Sequence, residues 1–185
     1  MKCTSIILTA ILCFAVPGLV SAQRTLPAQR GIQLTTGSVM QKGFYWDASF
    51  SQYAKGGDKW LFGVEYLEKR HSYKDINIPQ SQFTAEGGYL FNFLSNPRKT
   101  CFVSIGASVL MGYETVNWNE KLLFDGATIN NGDAFLYGGA VTLEWETYLS
   151  NRLVLLVNLR ERLLGGSSAG LLNTQFGLGL KFIIN

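Results

Sequence analysis

Cysteine is scarce: the 185 residues hold three, at positions 3, 13 and 101. Two of them fall in an N-terminal stretch read below as removable, so Cys101 would stand alone and no intrachain disulfide could staple the fold. Histidine is scarcer still, His71 being the single example. One imidazole, one remaining thiol and no clustered acidic loop make no metal-ligand set, and nothing points to a cofactor. An excess of one charge is also missing. The formal charge is +3, or +2 once Lys2 is removed, too small and too dispersed for a nucleic-acid footprint. Basic grooves with stacking aromatics are absent too, so direct contact with nucleic acid is not expected. No stretch is apolar for the ~20 residues that a transmembrane helix needs. The N-terminal run comes nearest, and Pro17-Gly18 interrupts it.

That N-terminal run reads instead as an export signal over residues 1–22. Lys2 gives a short positive start, Ile6 to Val16 an apolar core, and Val20-Ser21-Ala22 a small-residue cleavage site. Of 185 residues, 22 would be signal, leaving 163 (residues 23–185) for one domain. Eight strands of about ten residues with their connections need this length.

The remaining chain alternates large apolar with small or polar residues in eight stretches, a period of two that places alternate side chains on opposite faces of a strand. Strand one covers Gly31 to Val39. Strand two, Phe44 to Tyr53, sets Phe44, Trp46, Ala48 and Phe50 against Tyr45, Asp47, Ser49 and Ser51. Strand three (Lys59 to Glu68) sets Trp60, Phe62, Val64 and Tyr66 against Leu61, Gly63 and Glu65, and the same pattern recurs over 82–93, 101–116, 133–147 and 152–162. The last stretch alternates Phe176, Leu178, Leu180 and Phe182 with Gln175, Gly177, Gly179 and Lys181. After an export signal, this is the pattern of an all-β, eight-stranded, antiparallel up-and-down transmembrane barrel in the outer membrane of a Gram-negative bacterium, its large residues facing lipid. With both termini in the periplasm, the links after strands two, four and six are the short periplasmic ones and those after three, five and seven the longer outer ones, the short link after strand one being an exception. Aromatics near the strand ends then form two girdles: Trp60, Phe93, Trp145 and Tyr148 at the periplasmic side, and Phe44, Trp46, Tyr66, Tyr113 and Trp118 at the other.

The opposite face mixes glycines and small residues with a few charges. Eight strands enclose only the space that side chains fill, which predicts a plugged lumen rather than a pore. Glu65, Glu86 and Arg160 fall at similar mid-depth, while Glu144, Glu146, Arg152 and Lys181 form a second layer nearer the periplasm. A buried carboxylate without a partner costs several kcal/mol, so these charges are expected to pair across the interior.

Signs of chemistry are few. Glu144 and Glu146 share one strand face and could be taken for a general acid and base, but no open cleft is implied around them. His71, Ser72 and Asp75 lie in an expected outer loop from Lys69 to Pro79, where lipid-modifying barrels carry such residues. Three residues within one loop rarely give triad geometry. Gly165-Gly-Ser-Ser-Ala-Gly170 lacks the lysine and following helix of a phosphate cradle and reads as a flexible outer loop. The longest connection, Asn117 to Gly132, carries Trp118, Leu122, Leu123, Phe124 and Ile129 where water is expected. Such a patch folds down as a lid or contacts a partner.

Several separated segments are familiar. Gln23-Arg-Thr-Leu-Pro27, Gln29-Arg-Gly31, Thr84-Ala-Glu-Gly-Gly-Tyr89, Gly112-Tyr-Glu-Thr-Val116 with Leu123-Phe-Asp-Gly-Ala127, and Glu146 through Val154 together resemble the TraO family of conjugative transposon proteins. The resemblance implies a component of a conjugative transfer apparatus, with the other proteins of that apparatus and outer-membrane lipid as partners. It supplies no catalytic residues. The reading is therefore a non-enzymatic structural or docking element. Alternatives are a small-barrel adhesin or envelope-protection protein, a lipid-modifying enzyme, or a secreted ligand-binding barrel with apolar residues inside.

Overall fold

A computed structural model describes residues 28–40, 43–73, 76–116, 133–167 and 171–184, with the backbone alone between 70 and 78. The expected export signal and the apolar loop residues Trp118, Leu122, Leu123 and Phe124 lie outside the described residues.

Eight strands run β1 (Arg30–Val39), β2 (Gly43–Tyr53), β3 (Lys59–Tyr73), β4 (Ile76–Ser95), β5 (Cys101–Val116), β6 (Ala134–Tyr148), β7 (Leu153–Gly165) and β8 (Leu172–Ile184). Each pairs antiparallel with its sequence neighbours, and β8 closes on β1, so no edge is left open. Following partners around the wall from Gln29 through Tyr53, Lys59, Leu90, Gly106, Thr142, Arg160 and Gln175 returns to β1 at Val39, ten residues along. That displacement tilts the strands and, with their number, sets the width of the barrel. Both termini emerge at one end, where Arg30 pairs with Ile184; this is called the terminal end below.

The alternation read from the sequence orders the two faces. Trp46, Trp60, Phe62, Val64, Val109, Tyr137 and Leu178 are among the large apolar side chains half or more exposed on the outer wall. Tyr45, Leu61, Leu67, Leu110, Leu136 and Leu156 are buried within, among polar and charged residues. This is the reverse of a soluble ligand-binding barrel, and it suits a molecule whose surrounding solvent is hydrocarbon. Two acids break the rule among the described residues: Glu68 at the far end of the outward row of β3, and Glu161 on β7, whose carboxylate accepts a hydrogen bond at 2.6 Å from the Thr174 hydroxyl on β8.

Three expectations change. First, β3 and β4 do not stop near Lys69 and Pro79: their ladder continues through Arg70–Pro79, His71–Ile78 and Ser72–Asn77 to Tyr73–Ile76. The two strands satisfy each other's backbone groups past the point where β2 ends at Gly43, so the expected loop is a hairpin extension. Second, Tyr148 belongs to no girdle. It lies an even number of residues from inward Glu146, is buried, and meets Phe102 edge-on at 5.8 Å. Third, a bulge between Asn92 and Leu94 inserts an extra residue in β4, so Phe91, Phe93 and Leu94 all end on the outer wall.

Turns at the terminal end are short and fully specified. The link after β2 uses Gly56 and Gly57 at φ 82° and 94°, a region closed to most side chains. Asn96 caps the link after β4, its Oδ1 accepting from the Thr100 and Cys101 amides at 2.7 and 3.1 Å.

Candidate functional site in the barrel interior

Because inward positions recur every second residue on every strand, polar side chains from opposite walls meet near the barrel axis. They do so at three levels. Nearest the terminal end, Lys59 (β3) and Lys181 (β8) face Glu144 and Glu146 (β6). Lys59 Nζ donates to Glu144 and, at 2.7 Å, to Glu146 Oε1; Lys181 donates to Glu146 and lies 3.7 Å from Glu144 Oε1. Tyr53 completes the cluster, its hydroxyl donating to Glu146 at 3.0 Å and accepting from Lys181 at 3.1 Å. Its ring also lies 5.9 and 5.1 Å from the two ammonium groups. Beneath, the apolar cluster of Tyr53, Phe102, Tyr148, Val154, Leu156 and Ile183 closes the terminal end.

At the middle level Arg160 (β7) spans the lumen. Its guanidinium donates to Glu65 Oε2 at 3.1 Å on β3, to Glu86 Oε1 at 2.9 Å on β4, and to the Thr142 hydroxyl at 3.1 Å on β6. Glu65 also accepts from Arg162 and, at 2.9 Å, from Gln175 Nε2. Arg162 donates to the Thr84 hydroxyl at 3.1 Å. Asp47 joins the same level, accepting from the Ser49 hydroxyl at 2.7 Å. Toward the far end, Glu114 accepts from Gln82 Nε2 and from the Ser167 hydroxyl, both at 2.8 Å, while Lys69 donates to Asn173.

Six of the seven residues expected inside are therefore brought together. Arg152 is the correction: it lies in the turn before β7, exposed, below the last rung at Leu153–Phe182. Its parity is inward, but past the end of the ladder water is available and nothing holds the side chain in the lumen. Lys59, sitting at a strand start, takes the place expected of Arg152. Arg162, Asp47, Tyr53 and Lys69 were also missed as partners, although each stands at an inward position of its strand. The glycine-rich segment after β7 is not wholly a free loop either, since Ser167 reaches into the far-end cluster. His71 stands on β3, not in a loop.

Chemically, the arrangement neutralises buried charge. The interior glutamates meet cations or hydrogen-bond donors from other strands, as burial in a low-dielectric interior demands, whereas Asp47, among the described residues, accepts only from Ser49 on its own strand. Paired acids held in salt bridges and covered by side chains lack the access to a substrate that general acid–base work requires.

Comparison with known proteins agrees with this architecture. Neisserial surface protein A has a similar fold, with a TM-score of 0.54 and 13% identity over 83% of this chain and 94% of that one. The N-terminal β-barrel domain of Pseudomonas aeruginosa OprF gives a TM-score of 0.51 and 13% identity, covering 85% of this chain and 98% of that one. Both likenesses concern fold alone. Among curated protein sequences, none is significantly similar. The family model described as "Conjugative transposon protein TraO" matches residues 20–184, nearly the whole length. This chain, a closed eight-stranded barrel of the outer-membrane type, belongs to the TraO family of conjugative transposon proteins.

Proposed function

We propose that the protein is an outer-membrane structural or docking element of a conjugative transfer apparatus and carries out no reaction of its own. On this reading residues 1–22 direct export, the barrel folds into the outer membrane of a Gram-negative cell, and other proteins of the apparatus bind its rims. The observation that carries the proposal is the occupied axis. Arg160 reaches Glu65 and Glu86 on the opposite wall, Lys59 reaches Glu144 and Glu146, and an apolar cluster lies beneath. A lumen so filled supports a supporting or docking role over passage of a DNA strand through the barrel.

The test has two parts. Deleting the gene from a transferable element should abolish transfer, with recovery on re-expression. Photo-crosslinking residues at Phe124, and separately at Lys55 in the terminal-end turn, should then give an adduct with another protein of the apparatus from one end. Undiminished transfer after deletion, or no adduct from either end, would defeat the proposal.

A further inference from the structure

Exposed charge at the terminal end is sorted by sign. Each of its three turns presents a basic side chain to solvent: Lys55 between β2 and β3, Arg98 and Lys99 between β4 and β5, and Arg152 between β6 and β7. Arg30, exposed at the start of β1, fills the remaining sector beside Ile184 at the end of β8. The cations thus recur about every second strand around the circumference. One acid, Asp58, belongs to these turns among the described residues. It is held by the structure, accepting from the Asn92 amide at 2.9 Å and the Tyr89 hydroxyl at 3.1 Å.

Position along the barrel matters as much as sign. Directly above the collar the outer wall turns apolar, with Phe93, Leu94, Leu149, Phe182 and Ile184 all exposed. Trp60, exposed by half, stacks edge-on to Tyr89 at 4.8 Å just inside that boundary. An amphipathic aromatic followed outward by a ring of cations is the order met when crossing from hydrocarbon through the interface to headgroup phosphates. Lysine and arginine side chains here are long enough to lay their stems on apolar surface and keep their charge at that plane.

We infer that this basic collar seats the terminal end on anionic phospholipid headgroups of the adjoining leaflet. The inference rests on the membrane reading proposed above and goes beyond it by naming the lipid class and the residues. Five cations spread around a circumference fit many dispersed monoanions better than one compact acidic partner. Each is worth about fivefold in the unfolding equilibrium when a charged surface is present.

The experiment uses the full chain without its signal, folded into phosphatidylcholine vesicles with or without phosphatidylglycerol, and a variant carrying Lys55→Gln, Arg98→Gln, Lys99→Gln and Arg152→Gln. Phosphatidylglycerol should stabilise the wild type against urea, salt should cancel the gain, and the four-fold variant should fold in both vesicles and keep no more than the roughly fivefold share of Arg30. Equal stability of the wild type in the two lipids overturns the collar while leaving the membrane reading intact. So does a gain that the four substitutions leave undiminished. Failure of the wild type to fold in neutral vesicles strikes the membrane reading instead. If the wild type ignores phosphatidylglycerol and the variant still blocks transfer in cells, the collar serves an acidic protein and the lipid assignment falls.

Discussion

Replacing Arg160 by methionine keeps most of the stem's volume and removes its three hydrogen bonds, to Glu65, Glu86 and Thr142, from the middle level of the lumen. Glu65 keeps Arg162 and Gln175, but Glu86 is left with the Ser108 hydroxyl at 3.3 Å. Its side chain is 1% exposed, so water cannot take over. Breaking a buried ion pair by removing one partner costs about 3–5 kcal/mol, most of it the stranded charge. The double variant Arg160→Met, Glu86→Gln discharges that carboxylate and should recover about 2 kcal/mol or more. Arg160→Lys should fall between, because one ammonium cannot serve Glu65, Glu86 and Thr142 with the planar fork's geometry. Urea unfolding in vesicles, followed by tryptophan fluorescence and by the mobility difference between heated and unheated samples on gels, measures all three. A loss below about 1 kcal/mol in Arg160→Met, or no recovery in the double variant, would refute the reasoning.

Lys59→Met should destabilise by about 3 kcal/mol by exposing Glu144 to a cation deficit, whereas Arg152→Gln in neutral lipid should change stability by no more than about 0.5 kcal/mol; the same urea series checks both. Gly177→Ala puts a Cβ 1.9 Å from Tyr45 Oη and 2.5 Å from Asn158 Oδ1, across their 2.9 Å hydrogen bond. A cost of about 1–3 kcal/mol is expected, reduced when Tyr45→Phe is added. Glu161→Leu should raise stability in a bilayer by about 1–2 kcal/mol, since Thr174 alone poorly compensates a lipid-facing carboxylate; a lower urea midpoint would contradict the outward assignment.

Much of the fold was legible because a strand's period is two and both faces of this wall are constrained. Once Phe62 or Leu178 is placed outward, every inward residue of its strand follows. Partners across the lumen were harder. Depth depends on tilt and on where each ladder stops: a one-residue difference at the start of β7 put Arg152 out, while Lys59, at the inward first position of β3, was passed over as a partner. Tyr148 was misread for a different reason: its chemistry suits an interface, but its parity from Glu146 is inward, and parity prevails. Strands β3 and β4 outran the reading because Pro79, the breaker within that stretch, stands past the last described β4–β5 pair at Gln80–Val116, on an edge that tolerates proline. Glu161 carried no signal at all, since a single acid on an apolar stripe violates the rule that located the stripe.

The interior charges are unevenly divided along the chain. Among the described residues, Asp47, Glu65, Glu86, Glu114, Glu144 and Glu146 stand on β2 through β6 with only Lys59 and Lys69 as buried cations beside them, whereas Arg160, Arg162 and Lys181 arrive with β7 and β8. A nascent sheet lacking its final hairpin is therefore an acid-lined half-shell that hydrocarbon would reject. Neutralisation and closure become one event, with the C-terminal hairpin acting as counterion and latch together. If the barrel inserts as proposed, insertion should be all or none, and a truncation before Leu153 should linger as a water-bound, anionic intermediate.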